Sequence, residues 1–158
     1  MYPASSEGLN KETTDAVYFF TPAFFPLDNF SAHTVSIWNI TFPTVEHAFQ
    51  WKKFSVSSPE IAAEVLAASS PHAVKIISDA NKQKVPEAWY GERIAVMELL
   101  LEAKAAQHED VREALHRTGD RNIIENSPVD DYWGIGPNQD GENMLGKLWM
   151  RVREQFKN

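Results

Sequence analysis

The stretch Phe42 to Phe54, FPTVEHAFQWKKF, constrains the fold more than any other part of the chain. Val45, Ala48, Phe49, Trp51 and Phe54 cover most of a helical circumference, and a helix apolar nearly all round is a buried one. Thr44 stands in the N-cap position, where its hydroxyl can accept from the first free amides. Against this apolar background Glu46, Gln50 and Lys53 line up within an arc of roughly 60°, at about 100° per residue. Ionisable side chains on a buried helix are costly unless paired or put to use. The stripe runs about 10.5 Å from Glu46 to Lys53, a length along which a sugar-sized molecule can lie. Two readings stay open on spacing alone. One is a structural Glu–Gln or Glu–Lys contact; the other is a binding or catalytic stripe, with Glu46 kept ionised by the helix dipole of the first turn.

The 158 residues fit one domain with one core, and 43% hydrophobic content is enough to fold it. A formal net charge of −7 argues against sequence-independent binding to a nucleic-acid backbone, which needs a basic surface, but leaves room for a local phosphate pocket. With no cysteine there is neither disulfide nor thiolate chemistry. The five histidines form no HxxxH or HExxH pair, so no metal site is expected. The first residues lack an apolar core of signal type and no later run is long enough to span a bilayer. A cytoplasmic protein with no membrane partner is the expectation.

Residues 1–16 read as a flexible polar arm, and 17–158 as the folded domain. Val17 to Phe20 is apolar and aromatic, as a strand is. The two prolines and the Asp-Asn pair of Thr21 to Phe30 mark a loop. Val35 to Ile40 alternates and predicts a second strand, pairing with the first in a small antiparallel sheet. Pro59–Ala68 and Pro71–Ala80 are helical in pattern, with Ser58 and Ser70 as N-caps before a first-turn proline. Pro86 to Gln107 is the longest helix, with Trp89 at core spacing and Lys104 either snorkelling or lining a pocket. Glu109–His116 follows, stopped by Gly119. Asn143 caps a last helix striped by Met144, Leu145, Leu148, Trp149, Val152 and Phe156. The expected fold is α+β and predominantly α-helical, a single domain with a small antiparallel β element near the N-terminus.

A second constellation lies in Asp130 to Arg153, DDYWGIGPNQDGENMLGKLWMRVR. Gly134, Gly136 and Gly141 let a backbone approach a ligand closely, and the loop leads into a helix N-terminus at Asn143, where unpaired amides favour an anion. Trp133 and Tyr132 offer rings for stacking. An ordinary turn-rich loop with two packing aromatics is the competing reading. The pattern is no dinucleotide fingerprint, because its third glycine is wrongly spaced and no buried strand leads into it.

These residues resemble a known family. PTVEHAFQWKKF is similar to the PTxEHxFQxxKF segment of the NADAR family, the YbiA-like N-glycosidases. LDNF at 27–30 resembles the family's SNF with Asp28 in place of Ser, and NIIENSPVDDYWGIGPNQDGENMLGKLWMRVR is similar to its C-terminal block. The likeness spans residues 17–156. It departs from the family where Ser78 and Asp79 stand in place of a frequent Gly-Arg pair, and at Pro137–Asn138–Gln139, where small residues are usual.

The resemblance implies a hydrolase of the N-glycosidic bond at ribose C1. It acts on phosphorylated ribosylamino-pyrimidine intermediates of riboflavin synthesis or on ADP-ribose conjugates, ADP-ribosylated nucleic acid among them. On that reading Glu46 and Lys53 are catalytic. Glu46 stabilises the cationic transition state or orients water, and Lys53 holds a phosphate or forms a Schiff base with an opened ribose. Asn29, Phe30, Gln50, Asp130, Trp133, Gly134, Gly136 and Asn143 bind substrate. The stripe and Trp133 are expected to face a shared cleft, and no cofactor or metal is required. The alternatives are a module that binds ADP-ribose or NAD without cleaving it, and a purely structural interaction domain.

Overall fold

The computed structural model describes residues 11–20 and 26–157. The first ten residues of the expected arm, residues 21–25 of the proline loop and the last residue lie outside them. The described residues are α+β and mostly helical, with six α-helices and two small sheets. They divide into two compact units: residues 32–107, and a discontinuous unit that includes residues up to 31 and those from 108.

The discontinuous unit holds strands β1 (Lys11–Glu12), β2 (Ala16–Phe19) and β5 (Asn122–Glu125), with helices α5 (Glu109–Thr118) and α6 (Met144–Gln155). β2 is the central strand, antiparallel to β1 and parallel to β5. Three features differ from the sequence expectation. Lys11–Glu12 is strand rather than loose arm, because Thr13 Oγ1 accepts from Asp15 N and Ala16 N and turns the chain back on itself. Asn122–Glu125 is a strand with Ile123 fully buried. The partner of β2 is therefore not the Val35 segment. α6 packs on β5, with Trp149 buried and its Nε1 donating to Leu27 O at 2.8 Å. Gly119, at φ 62°, ends α5 in the left-handed region that favours glycine.

The continuous unit holds β3 (Val35–Ile37), β4 (Ile40–Phe42), α1 (Val45–Phe54), α2 (Pro59–Ala67), α3 (Pro71–Ala80) and α4 (Trp89–Gln107). Val35 to Ile40 is not one strand. Trp38 and Asn39 take φ 54° and 62°, the positive pair that a two-residue hairpin turn requires, and β3 folds back on β4. Trp38 is held there by stacking on Trp51 of α1, at 6.0 Å between ring centroids, and by Lys52 at 4.9 Å from its ring. α1 packs against α2, α3 and α4 and is the hub of this unit. Phe54 joins Ile61, Val65 and Val74 in one cluster, and Phe49 meets Trp89 at 5.0 Å.

The caps explain where the helices begin. Thr44 Oγ1 accepts from His47 N at 3.1 Å, and Ser70 Oγ accepts from Ala73 N at 3.1 Å, as expected. Ser58 stands at the N-cap position but makes no side-chain cap; its carbonyl accepts the first helical bonds, from Ile61 N and Ala62 N. Lys104 does not snorkel: it is fully buried within α4.

Candidate active site

The polar stripe of α1 is a single hydrogen-bonded chain. Gln50 Nε2 donates to Glu46 Oε1 at 2.8 Å, and Lys53 Nζ donates to Gln50 Oε1 at 3.1 Å. One turn separates each residue from the next, so helical geometry alone makes the contacts. Gln50 thus stands between the carboxylate and the ammonium and bonds to both. Ser78 of α3 closes the arrangement. Its Oγ accepts from Lys53 Nζ at 3.0 Å and donates to Gln50 Oε1 at 2.8 Å. As an ammonium Lys53 can only donate, so the Gln50 carbonyl faces Lys53 and Ser78 and its NH₂ faces Glu46.

Burial is the largest influence on the ionisation of both ends. Glu46 is 8% exposed. Desolvation pushes its carboxyl above the usual carboxylate range, against the opposing pull of the Gln50 hydrogen bond and of the Lys75 and Lys53 charges, while Asp79 adds to the rise. The rise runs against the ionised form that the first turn of the helix was expected to favour. Desolvation also lowers the Lys53 ammonium, opposed by Glu46 and Asp79 and reinforced by Lys75 and Lys82. Both groups move towards neutrality, which is the pattern of groups that exchange protons. At the rim, Lys75 and Asp79 pair at 3.5 Å, one turn apart and half exposed.

His47 sits beside Glu46 but takes no part in the stripe. A carbonyl can only accept, so its Nε2 donates to Ala68 O at 3.0 Å, and Nδ1 is hydrogen-bonded to the Thr44 hydroxyl at 2.9 Å. The ring ties the start of α1 to the end of α2.

The glycine loop of the other unit differs from its sequence reading. The expected open helix end is not there. Asn143 N, Met144 N and Leu145 N donate to the carbonyls of Gly134, Tyr132 and Trp133, each at 3.0 Å. Asn143 precedes α6 but makes no side-chain cap. Its Oδ1 instead accepts from Glu125 N at 2.9 Å and its Nδ2 donates to Ile123 O at 2.9 Å, so the amide pairs with β5 as a neighbouring strand would. The close approaches that the glycines permit are to the protein's own backbone. A Cβ on Gly134 would lie 2.8 Å from Glu125 O. One on Gly141 would lie 2.5 Å from Asp131 O. Asp130 Oδ1 accepts from Tyr132 N at 2.9 Å and Trp133 N at 2.8 Å, which fixes the turn that carries the two aromatics. Trp133 is half-buried, edge-on to Tyr132 at 5.0 Å. Asn29 and Phe30, both half-buried, sit in a turn that Asp28 Oδ1 closes by accepting from Phe30 N at 2.7 Å.

The spacing predicted that Glu46, Gln50 and Lys53 share one stripe, as they do, and it did not point to Ser78. The available signal was a serine on the inward face of α3 where the resembling family carries glycine. Among the described residues no group of three His, Cys, Asp or Glu side chains could hold a metal ion, and no helix is long and apolar enough to cross a membrane.

The NADAR domain family model matches residues 10–157. The chain is 37% identical over 132 residues to the N-glycosidase Npun_R5314 of Nostoc punctiforme, covering 82% of this chain and 84% of that one. It is 30% identical over 145 residues to the riboflavin biosynthesis protein VVA0006 of Vibrio vulnificus, covering 89% of this chain and 38% of that longer one. Among solved structures it is similar to the NMR structure of Escherichia coli YbiA, with a TM-score of 0.77 and 30% identity over 96% of this chain and 90% of the other.

Proposed function

Because the chain belongs to the NADAR family and is an N-glycosidase, we propose that it cleaves the bond between C1 of a phosphorylated ribose and a heterocyclic base or amine. Two substrate classes fit: a ribosylamino-pyrimidine intermediate of riboflavin synthesis, and an ADP-ribose conjugate. The name of the Vibrio relative supports the first. The observation that carries the reading is the Glu46–Gln50–Lys53 chain, a carboxylate and an amine joined through one amide and both moved towards neutrality by burial.

Departure of the base builds positive charge on C1 and the ring oxygen. Glu46 meets that charge, or takes the proton of the attacking water. A carboxyl with a raised pKa suits proton transfer better than one held permanently ionised. Lys53, with its ammonium form disfavoured, offers an amine that can attack C1 of the opened ribose as a Schiff-base nucleophile; as an ammonium it would hold a phosphate. Gln50 Oε1 has both lone pairs occupied, so Gln50 reaches a ribose hydroxyl through its remaining amide hydrogen. Within the other unit, Trp133 has a ring suited to stacking on a flat heterocycle, and Asn29, Phe30 and Asp130 are the remaining substrate-binding candidates. Gly134, Gly136 and Asn143 shape the loop that presents Trp133.

The test is product analysis by mass spectrometry. Phosphorylated ribosylamino-pyrimidines and ADP-ribosyl conjugates are incubated with wild type and with Glu46→Gln. Release of free base or amine by wild type alone supports the proposal. Binding of these ribosides without release, seen as a thermal shift with intact ligand, rejects it in favour of a binding module.

A further inference from the structure

We infer that Ser78 is a positioning residue for Lys53, holding the Lys53 Nζ against Gln50 in either charge state. The inference rests on the proposed catalytic role of Lys53. Ser78 is 3% exposed and lies on α3, so neither solvent nor chain flexibility sets the direction of its hydroxyl. Three atoms close a ring: Lys53 Nζ to Ser78 Oγ at 3.0 Å, Ser78 Oγ to Gln50 Oε1 at 2.8 Å, and Lys53 Nζ to Gln50 Oε1 at 3.1 Å.

The ring has a property that a simple ion pair lacks. With Lys53 as ammonium, the hydroxyl accepts from Nζ and donates to Gln50. With Lys53 as amine, Nζ keeps two N–H bonds and gains a lone pair. The hydroxyl can then rotate and donate to that lone pair, while Nζ still donates to Gln50 Oε1. Each group keeps a partner in both states, and Nζ stays in place when its proton leaves. A half-buried amine without this partner would lose that hydrogen bond and with it the direction of its lone pair. The glycine that the resembling family carries here, or an alanine, has no hydroxyl to turn. Ser78 thus acts through Lys53 and reaches no reacting atom itself.

The experiment uses the full chain and a phosphorylated ribosylamino-pyrimidine as substrate. Wild type, Ser78→Ala, Ser78→Thr and Lys53→Met are compared by kcat, KM and melting temperature. Ser78→Ala is expected to lower kcat about 10- to 100-fold, the range for losing a hydrogen bond to a charged group, with KM changed by less than about threefold. Ser78→Thr, which keeps the hydroxyl, is expected to restore most of kcat. Adding Ser78→Ala to Lys53→Met should lower the residual rate no further. Wild-type kcat in Ser78→Ala with an inactive Lys53→Met overturns the role of Ser78 and leaves that of Lys53 standing. Wild-type kcat in Lys53→Met removes the catalytic role of Lys53 itself and the inference with it. Equal loss in the Ala and Thr variants would mean that size rather than the hydroxyl matters, and also overturns it. If Ser78→Ala does not fold, Ser78→Gly takes its place under the same criteria.

Discussion

Glu46→Gln separates chemistry from architecture because burial makes the two predictions opposite in sign. The substitution keeps shape and an acceptor oxygen for Gln50 Nε2, now 2.8 Å from Glu46 Oε1. A hydrogen bond to a charged group contributes about 1.5–3 kcal/mol and one between neutral groups about 0.5–1.5 kcal/mol, so roughly 1 kcal/mol is lost there. Against this, the variant no longer buries a carboxylate, whose effective penalty is several kcal/mol before the Lys53 and Lys75 charges offset part of it. The native pKa is raised, so the net of these effects disfavours the charged form. What Glu46 contributes to stability is fully present below its unfolded value of 4.5 and is lost as pH rises through the native value. Glu46→Gln should therefore match wild type in acid and exceed it at pH 7. For a chain of this size each ~1 kcal/mol gained raises the melting temperature by roughly 2–4 °C. Turnover should fall on the order of 10²–10³, as when a well-placed electrostatic group is removed. Melting curves from pH 4 to 8 and single-turnover cleavage on one preparation measure both. A variant with wild-type turnover and a lowered melting temperature at pH 7 would refute the reasoning, since Glu46 would then be a structural partner and nothing more.

Lys53→Met tests the other end of the chain. The native ammonium is depressed below 10.5, so the native state binds fewer protons than the unfolded chain between the two values. Wild-type stability should rise relative to Lys53→Met as pH climbs from 7 to 10, in urea titrations at each pH. The opposite slope would mean that Lys53 gains more from its partners than burial takes away. Asn143→Ala removes two hydrogen bonds to β5 and leaves alanine at φ 50°. It should cost about 2–4 kcal/mol in urea unfolding, and a change under 1 kcal/mol would show that the latch is dispensable.

The α1 stripe was legible because its evidence is local. The period of 3.6 residues, the Thr44 cap and the spacing of three polar groups all lie within thirteen residues, and the structure adds only the partner from α3. The helices of the continuous unit were legible for the same reason, Ser-Pro starts included. The strand expected over Val17 to Phe20 and the start of one at Val35 were legible too, but their pairing was not. A parallel partner for β2 lies far along the chain in β5, and nothing in either segment names the other. The β3–β4 turn carries Trp38-Asn39 rather than a glycine, and the left-handed conformation of Trp38 is supported by Trp51, a tertiary contact that no local rule reads.

The glycine loop shows why one constellation carried more information than the other. Glycine announces that something comes close to the backbone, without saying what. Here the visitor is the protein itself: Glu125 O at Gly134, Asp131 at Gly136 and Gly141, and Ile123 O at Gly146. The amides that such a loop offers to a phosphate are the same ones that lock α6 onto residues 132–134. Packing explains the glycines fully, so they add nothing to a ligand argument. Glu46 is different. A carboxyl 8% exposed, on a helix that packs against three others, has its ionised form disfavoured by burial. A carboxyl whose charge burial disfavours, with its hydrogen bonds arranged through Gln50 to an amine, is the arrangement that the proposed catalytic role of Glu46 requires.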